Sequence, residues 1–389
     1  MARRHCRAKN AGLLRNNGNE FRGEAKQTPF LPEEKMTFAA ITGWGKCLPP
    51  AVLTNDDLAT FLDTDDEWIT SRTGMKERRI SHVEVSELAH IAAARALAAA
   101  GKTAEDVELI VFGSTTFDEM CPNAASNVQR LLGASNAGCM DVNTACTSGM
   151  YGLSVAAAMI KTGAIRSALV IGAEVISKMM DWSNRNVAVL FGDGAAALYL
   201  EASDREEGVL AEALGCSGEA RDILSVQGWG TKYADKKRVM GDTTWQFVGQ
   251  EIFKKAVAGM SRACERVLEK SSTPIEAIDL VVPHQTNLRI IDALAKKLRL
   301  PAEKVFINIE RYGNMSAATA LVALVEAVEE GHAAAGSTIL MPAFGGGLTW
   351  SAHLLKWGER TEELGTAEVA LPKAERTGLE LVNGFRQAG

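Results

Sequence analysis

From Met36 onward the chain switches repeatedly between short apolar runs and longer stretches with one apolar face. The stretch MTFAAITGWGKCLPP predicts a first strand and a Gly/Pro loop, and residues 84–100 predict a helix rich in Ala and Leu. VELIVFGSTT predicts a strand ending in small polar residues. NAASNVQRLLGA predicts a helix between Asn123 and Gly133, and AGCMDVNTAC a strand. SGMYGLSVAAAMIKTG is apolar on most faces, which predicts a buried helix. SALVIGAEVIS and AVLFGDGAAALYLEA predict strands, with FGDG at 191–194 as a hairpin turn. In the second half, 242–269 predicts one long helix. AIDLVVPHQTN and KVFINIERYGN predict strands leading into loops, LRIIDALAKKLRL and SAATALVALVEAVEEG helices, and STILMPAFGGGLTWSAHLLKW two strands around a glycine turn.

The two halves match by kind of element. DVELIVFGSTT corresponds to AIDLVVPHQTN, and DVNTACTSGMYGLSVAAAMIKTG to NIERYGNMSAATALVALVEAVEEG. This is one repeated strand–helix unit in an α/β protein, not a solenoid. The expected boundaries are a flexible basic leader at 1–35, two halves at 36–204 and 205–357, and a surface extension at 358–389. A few apolar residues such as those of LELV would dock that extension.

Composition narrows the class. Charged residues make up 23% and hydrophobic residues 47% of the 389 residues, as in ordinary globular chains, and a net charge of -6 speaks against a nucleic-acid binder. No apolar run reaches the ~18 residues that span a bilayer. The basic N-terminus lacks a following apolar region, so it does not read as a secretory signal, and a cytoplasmic location is expected. The seven cysteines include no CxxC pair and no metal-ligand spacing, so neither a disulfide framework nor a metal is expected.

One cysteine stands apart. Cys146 follows a strand and precedes the small-residue helix, where the helix end favours thiolate over thiol. An inert buried cysteine would fit the same position. His284 and Asn314 close the corresponding strand ends of the second half, where a strand cap and a helix cap are the alternatives. The three together suit thioester chemistry, and FGGG at 344–347 could present N–H donors to an oxyanion. No dinucleotide or P-loop glycine pattern is present.

At this point the chain closely resembles β-ketoacyl-acyl-carrier-protein synthase III, a condensing-enzyme family of the thiolase superfamily. DTDDEWITSRTGMKERRI, DVNTACTSGMYGLSVA, RNVAVLFGDGAAA, VVPHQTNLRI, NIERYGNMSAA and AFGGGLTW carry the likeness, in order, between Met36 and Trp357. The resemblance implies a duplicated five-layer α-β-α-β-α fold and a homodimer. It implies Cys146 as acylated nucleophile, and His284 with Asn314 as the pair that holds a malonyl thioester during decarboxylation. The backbone N–H groups of Cys146 and Gly346 would form the oxyanion hole. Trp68 and Arg185 would sandwich the adenine of coenzyme A, with Arg72 at its phosphates. Arg289, Lys254, Lys296 and Lys297 would receive a malonyl-loaded acyl carrier protein. No permanently bound cofactor is implied: acyl-CoA is a substrate, and the phosphopantetheine arm belongs to the partner.

The sequence departs from the family at several places. The best-known initiating enzymes carry a bulky aromatic, contributed by the opposite subunit, where Cys121 stands. A small residue there implies a longer acyl pocket, lined also by Phe344 and Leu348, and a medium-chain primer of about C6–C10 in which each methylene gains ~0.8 kcal/mol. Gln250 replaces a usual Asn, and 216–247 is expected at the entrance. The tail after Trp357 resembles that of a medium-chain-accepting subgroup. The alternatives are an acetyl-CoA-specific initiating synthase and an acyltransferase acting on a small nucleophile. A degradative thiolase would need a second cysteine near the glycine turn, and a non-enzymatic sensor would not need the three residues together.

Overall fold

The computed structural model describes residues 36–233 and 243–388. The leader 1–35 and residues 234–242 of the expected entrance region lie outside the described residues. Two sheets organise the chain. The first has strand order Phe38–Cys47, Gly194–Ser203, Ser167–Glu174, Leu109–Gly113, Gly138–Val142. Its last three strands run parallel and the other two pairings are antiparallel. The second has the order Gly208–Cys216, Thr349–Lys356, Thr338–Gly345, Leu280–Val281. Its strands repeat the same sequence of directions, and a parallel bridge from Val281 to Val305 stands where the fifth strand would be. The repeat read from sequence is therefore a repeat of topology.

Helices Ser148–Lys161 and Thr319–Glu329 lie between the sheets, and their apolar faces fill the central core with Val111, Val170, Leu198, Ile339 and Met341. Small residues let them approach closely: a Cβ on Gly149 would meet the Ala317 carbonyl oxygen at 2.7 Å. Helices Val85–Ala99 and Ala124–Leu132 cover the outer face of the first sheet. Helix Gly249–Lys270 covers that of the second, with Leu288–Leu298 packed beside it. The layers run α-β-α-β-α.

Three expectations change. The long helix starts at Gly249, because Thr244–Phe247 pairs antiparallel with Leu224–Gln227 as a separate ribbon. FGDG is not a hairpin: Arg185–Ala188 before it is a short helix, and the buried Asp193 carboxylate accepts hydrogen bonds from the N–H groups of Ser81 and Ser177. KVFINIERYGN forms no extended strand: it holds the Val305 bridge, the short helix Ile309–Tyr312 and the bridge of Asn314 to Phe191.

The tail does dock through LELV. Beyond the buried Trp357, the Arg360 guanidinium donates to the carbonyls of Thr42 and Ala99 and lies over the Trp44 ring. The helix Gly378–Ala388 then packs on the antiparallel pair Ala51–Thr54/Glu77–Ile80, with Leu381 and Val382 fully buried. Burying two such side chains is worth ~1.5–3 kcal/mol each.

Candidate active site

The turn between strand Gly138–Val142 and helix Ser148–Lys161 carries Cys146. Ala145 adopts a left-handed backbone at φ 55°, uncommon for a residue with a side chain and typical of functional turns. The turn is pinned from several sides. The Thr144 N–H donates to Ser148 Oγ at 2.9 Å, and Ser148 Oγ donates to the Ala145 carbonyl at 2.6 Å. Thr147 Oγ1 pairs with Thr349 Oγ1 at 2.8 Å, and Thr349 in turn donates to the Gly346 carbonyl at 3.1 Å. The cysteine turn and the glycine turn are thus one assembly. The backbone N–H groups of Cys146 and Gly346 both reach the Cys146 sulfur.

Electrostatics differ from the expectation of a thiolate. Burial pushes the Cys146 thiol up to about 11, against the pull of a hydrogen bond from Ser316 and those two N–H groups. Glu174 adds to the rise. This carboxylate, absent from the expected site, is fully buried at the end of Ser167–Glu174. It accepts from Thr116 Oγ1 at 2.6 Å and from Thr115 and Ser114, and burial raises its own pKa.

Asn314 is buried, and its Oδ1 accepts the Ser316 N–H at 2.8 Å, which assigns the amide and leaves Nδ2 as the donor. Asn314 is joined to Phe191 through a backbone bridge. His284 is 1% exposed, its backbone N–H donates to the Pro342 carbonyl at 2.8 Å, and neither ring nitrogen has a partner among the described residues. Burial lowers its pKa to about 3, so the imidazole is neutral over the working range. Gln285 beside it is consumed structurally, bonding to Pro283, Phe306 and Asn308.

Cys146 lies on the wall of two cavities. One, of about 560 Å³, is largely apolar, with Phe117, Ile176, Met179, Phe191, Leu224 and Trp245 on its wall. The other, of about 960 Å³, runs past Asn314 and Phe344 to Trp68, Arg72, Lys254 and Arg289. At its mouth two guanidinium groups lie over the Trp68 ring, Arg72 at 4.6 Å and Arg185 at 4.7 Å. Gln250 lines this second cavity, and Arg289 donates to the Ser71 carbonyl at 2.9 Å. Lys296 and Lys297 are exposed on the last turn of Leu288–Leu298, outside the lining.

The expected acyl-pocket residues are placed differently. Phe344 lines the second cavity, not the apolar one. Leu348 lines neither: it is fully buried with Phe344, Ile252, Met260 and Leu294 against the outer helix. Cys121 is exposed on the surface of its own chain. The ribbon Leu224–Gln227/Thr244–Phe247, in the region expected at the entrance, places Leu224, Val226 and Trp245 on the apolar wall. Among the described residues no cluster of three metal-ligating side chains occurs, and no helix is long and apolar enough to cross a membrane.

Comparison with known proteins agrees with this geometry. The family described as 3-Oxoacyl-[acyl-carrier-protein (ACP)] synthase III matches residues 140–218, and its C-terminal counterpart matches 268–357. A protein of Vibrio vulnificus named Beta-ketoacyl-[acyl-carrier-protein] synthase III 2 is 50% identical over 345 residues, 89% of this chain and 95% of its own. The solved 3-oxoacyl-[acyl-carrier-protein] synthase III of Aquifex aeolicus is 43% identical. It superposes with a TM-score of 0.77 over 82% of this chain and all of that one. The priming β-ketosynthase of the R1128 polyketide pathway superposes at 0.80, with 30% identity, over 85% of this chain and 99% of its own.

Proposed function

Because the chain belongs to the 3-oxoacyl-[acyl-carrier-protein] synthase III family and is a condensing acyltransferase, we propose that it joins a medium-chain acyl-CoA to malonyl-carrier protein. The products are 3-oxoacyl-carrier protein, coenzyme A and CO2. The observation that carries this reading is the position of Cys146, shared by an apolar cavity and a cavity that opens past Trp68 to the surface.

The Cys146 sulfur attacks the thioester carbonyl of the acyl-CoA and gives up its proton to water. The oxygen of the tetrahedral intermediate faces the N–H groups of Cys146 and Gly346, each donor of this kind being worth ~3 kcal/mol. Coenzyme A leaves as the thiolate and is protonated in water. The arm of the malonyl donor then enters the same cavity. His284 and Asn314 Nδ2 donate to its thioester carbonyl and hold the negative charge as CO2 departs. A neutral imidazole suits this, since it donates without adding a charge. The carbanion attacks the acyl-cysteine, and collapse expels Cys146. Simple acyl transfer would need no such pair of donors.

Chain length is read from volume and from Cys121. About 560 Å³ falls in the ~300–1,000 Å³ range of pockets that enclose drug-sized ligands. In a homodimer Cys121, exposed on its own chain, would meet the neighbour's pocket. Lys254 and Arg289 at the cavity mouth would meet the acidic carrier. The test is mass spectrometry of the protein incubated with acetyl-, octanoyl- or palmitoyl-CoA and chased with malonyl-carrier protein. Octanoyl on Cys146, converted to 3-oxodecanoyl-carrier protein, is expected. Acylation by acetyl-CoA alone would return the enzyme to ordinary initiation, and an acyl-cysteine inert to the malonyl donor would make it a transferase.

A further inference from the structure

We propose that the C-terminal helix Gly378–Ala388 positions the coenzyme A site, by holding the loop 60–65 in the conformation that brings Trp68 and Arg185 face to face. The inference rests on reading those two residues as the nucleotide clamp.

The contacts run without a gap from tail to clamp. The helix begins at a capping box: the Thr377 N–H donates to Glu380 at 2.7 Å and the Glu380 N–H to Thr377 Oγ1 at 3.3 Å. Leu381 and Val382 share a buried cluster with Leu53, Leu58, Leu62 and Ile69, and Trp68 packs against the same cluster. Near the end of the helix the Arg386 guanidinium lies 4.3 Å over the Phe61 ring. Phe61 meets Trp182 edge-on at 6.3 Å. Two residues further, Asp63 receives the Arg185 guanidinium on both its carbonyl and its carboxylate. Two residues beyond that, Asp65 caps the helix Asp66–Thr73 by accepting the Trp68 N–H at 2.6 Å.

One short loop therefore bears on both residues of the clamp, which lie in direct contact in this structure. It tethers Arg185, and it starts the helix that aims Trp68. Asp63 and Asp65 are themselves exposed, and an exposed loop frays unless something ties it down. The buried Leu62, the Phe61–Trp182 contact and the tail supply the tie. No described tail residue lines either cavity, so the tail acts indirectly: Leu381, Val382 and Arg386 are positioning residues.

Two variants test this, Arg386→Ala in the full chain and a chain ending at Lys373. Each is assayed with octanoyl-CoA and with octanoyl-pantetheine, the same thioester without a nucleotide. We expect KM for octanoyl-CoA to rise about threefold in Arg386→Ala and about tenfold in the shortened chain. kcat and KM for octanoyl-pantetheine should stay within about twofold of the parent, a change of less than ~0.5 kcal/mol. An unchanged KM for octanoyl-CoA in both variants overturns the proposal. So does an equal rise for both thioesters, or a fall in kcat alone, since these report damage to the fold. If the shortened chain does not fold, Arg386→Ala decides. Trp68→Ala separates the premise from the proposal: if it leaves KM for octanoyl-CoA unchanged, the clamp reading fails and takes the proposal with it.

Discussion

A side chain on Gly345 would place its Cβ 2.8 Å from the backbone nitrogen of Cys146. Such a contact is closer than real Cβ atoms tolerate, and backbone on both sides leaves little to yield. Gly345→Ala should therefore push the glycine turn away from the sulfur while leaving the core intact. Steady-state kinetics should show kcat down ~100-fold, in line with loss of an oxyanion donor. Thermal unfolding should move little by comparison. A variant with normal turnover would mean that the two N–H groups do not act at the intermediate.

His284→Ala should divide the reaction. Octanoyl transfer to Cys146 should survive, seen as an intact-mass shift, while release of CO2 from malonyl-carrier protein should drop at least ~100-fold. Loss of both steps would instead assign His284 to the cysteine.

His353 provides a pH test away from the site. It is fully buried, its Nε2 pairs with Ser154 Oγ at 2.8 Å, and burial lowers its pKa to about 3. Between that value and ~6.5 the unfolded chain binds a proton that the folded chain refuses. Stability therefore falls as pH drops through this window, by up to ~1.4 kcal/mol per pH unit. Asp193, pushed up to about 6, has the opposite sign: its folded form holds the proton longer, and stability is lost as pH rises through that value. The difference between wild type and His353→Gln isolates the histidine. The variant's Tm should fall less steeply from pH 6.5 to pH 4, and parallel curves would sink the assignment.

Leu348→Ala checks the corrected position of that residue. As a core deletion it should cost ~2–5 kcal/mol in denaturant unfolding. Relative acylation by acetyl-, hexanoyl- and octanoyl-CoA should not change, because the side chain faces the outer helix. Cys121→Phe should do the reverse, sparing stability and cutting octanoylation relative to acetylation.

The sequence exposed the repeated framework because each unit pairs an apolar strand with a small-residue helix, a pattern that local periodicity reveals. It singled out Cys146, His284 and Asn314 because each is a polar residue that follows an apolar run, although the run before Asn314 folds as isolated bridges and a short helix. Glu174 escaped notice because it ends SALVIGAE, an otherwise apolar strand whose partners Thr115 and Thr116 lie far away in the chain. Leu348 was misplaced because the backbone reverses at Gly345–Gly347, and residue spacing does not say which face of the sheet the next side chain takes. The start of the helix at Gly249 was blurred for a similar reason: TWQF fits a helix locally, and only its pairing with Leu224–Gln227 makes it a strand. The tail reads as a surface extension and not as a helix, although Thr377 and Glu380 stand at capping-box spacing, and nothing local points to Phe61.

The shared wall at Cys146 also governs the order of events. On the proposed function, one route serves both the coenzyme A thioester and the carrier-borne malonyl group, so the first leaving group must vacate it before the second arm can enter. Initial-rate plots against one substrate at fixed levels of the other should then be parallel lines, the signature of a double-displacement cycle. Free coenzyme A should compete with the malonyl donor for the acylated enzyme, and a rising acyl-CoA pool should slow its own consumption by occupying the route out of turn.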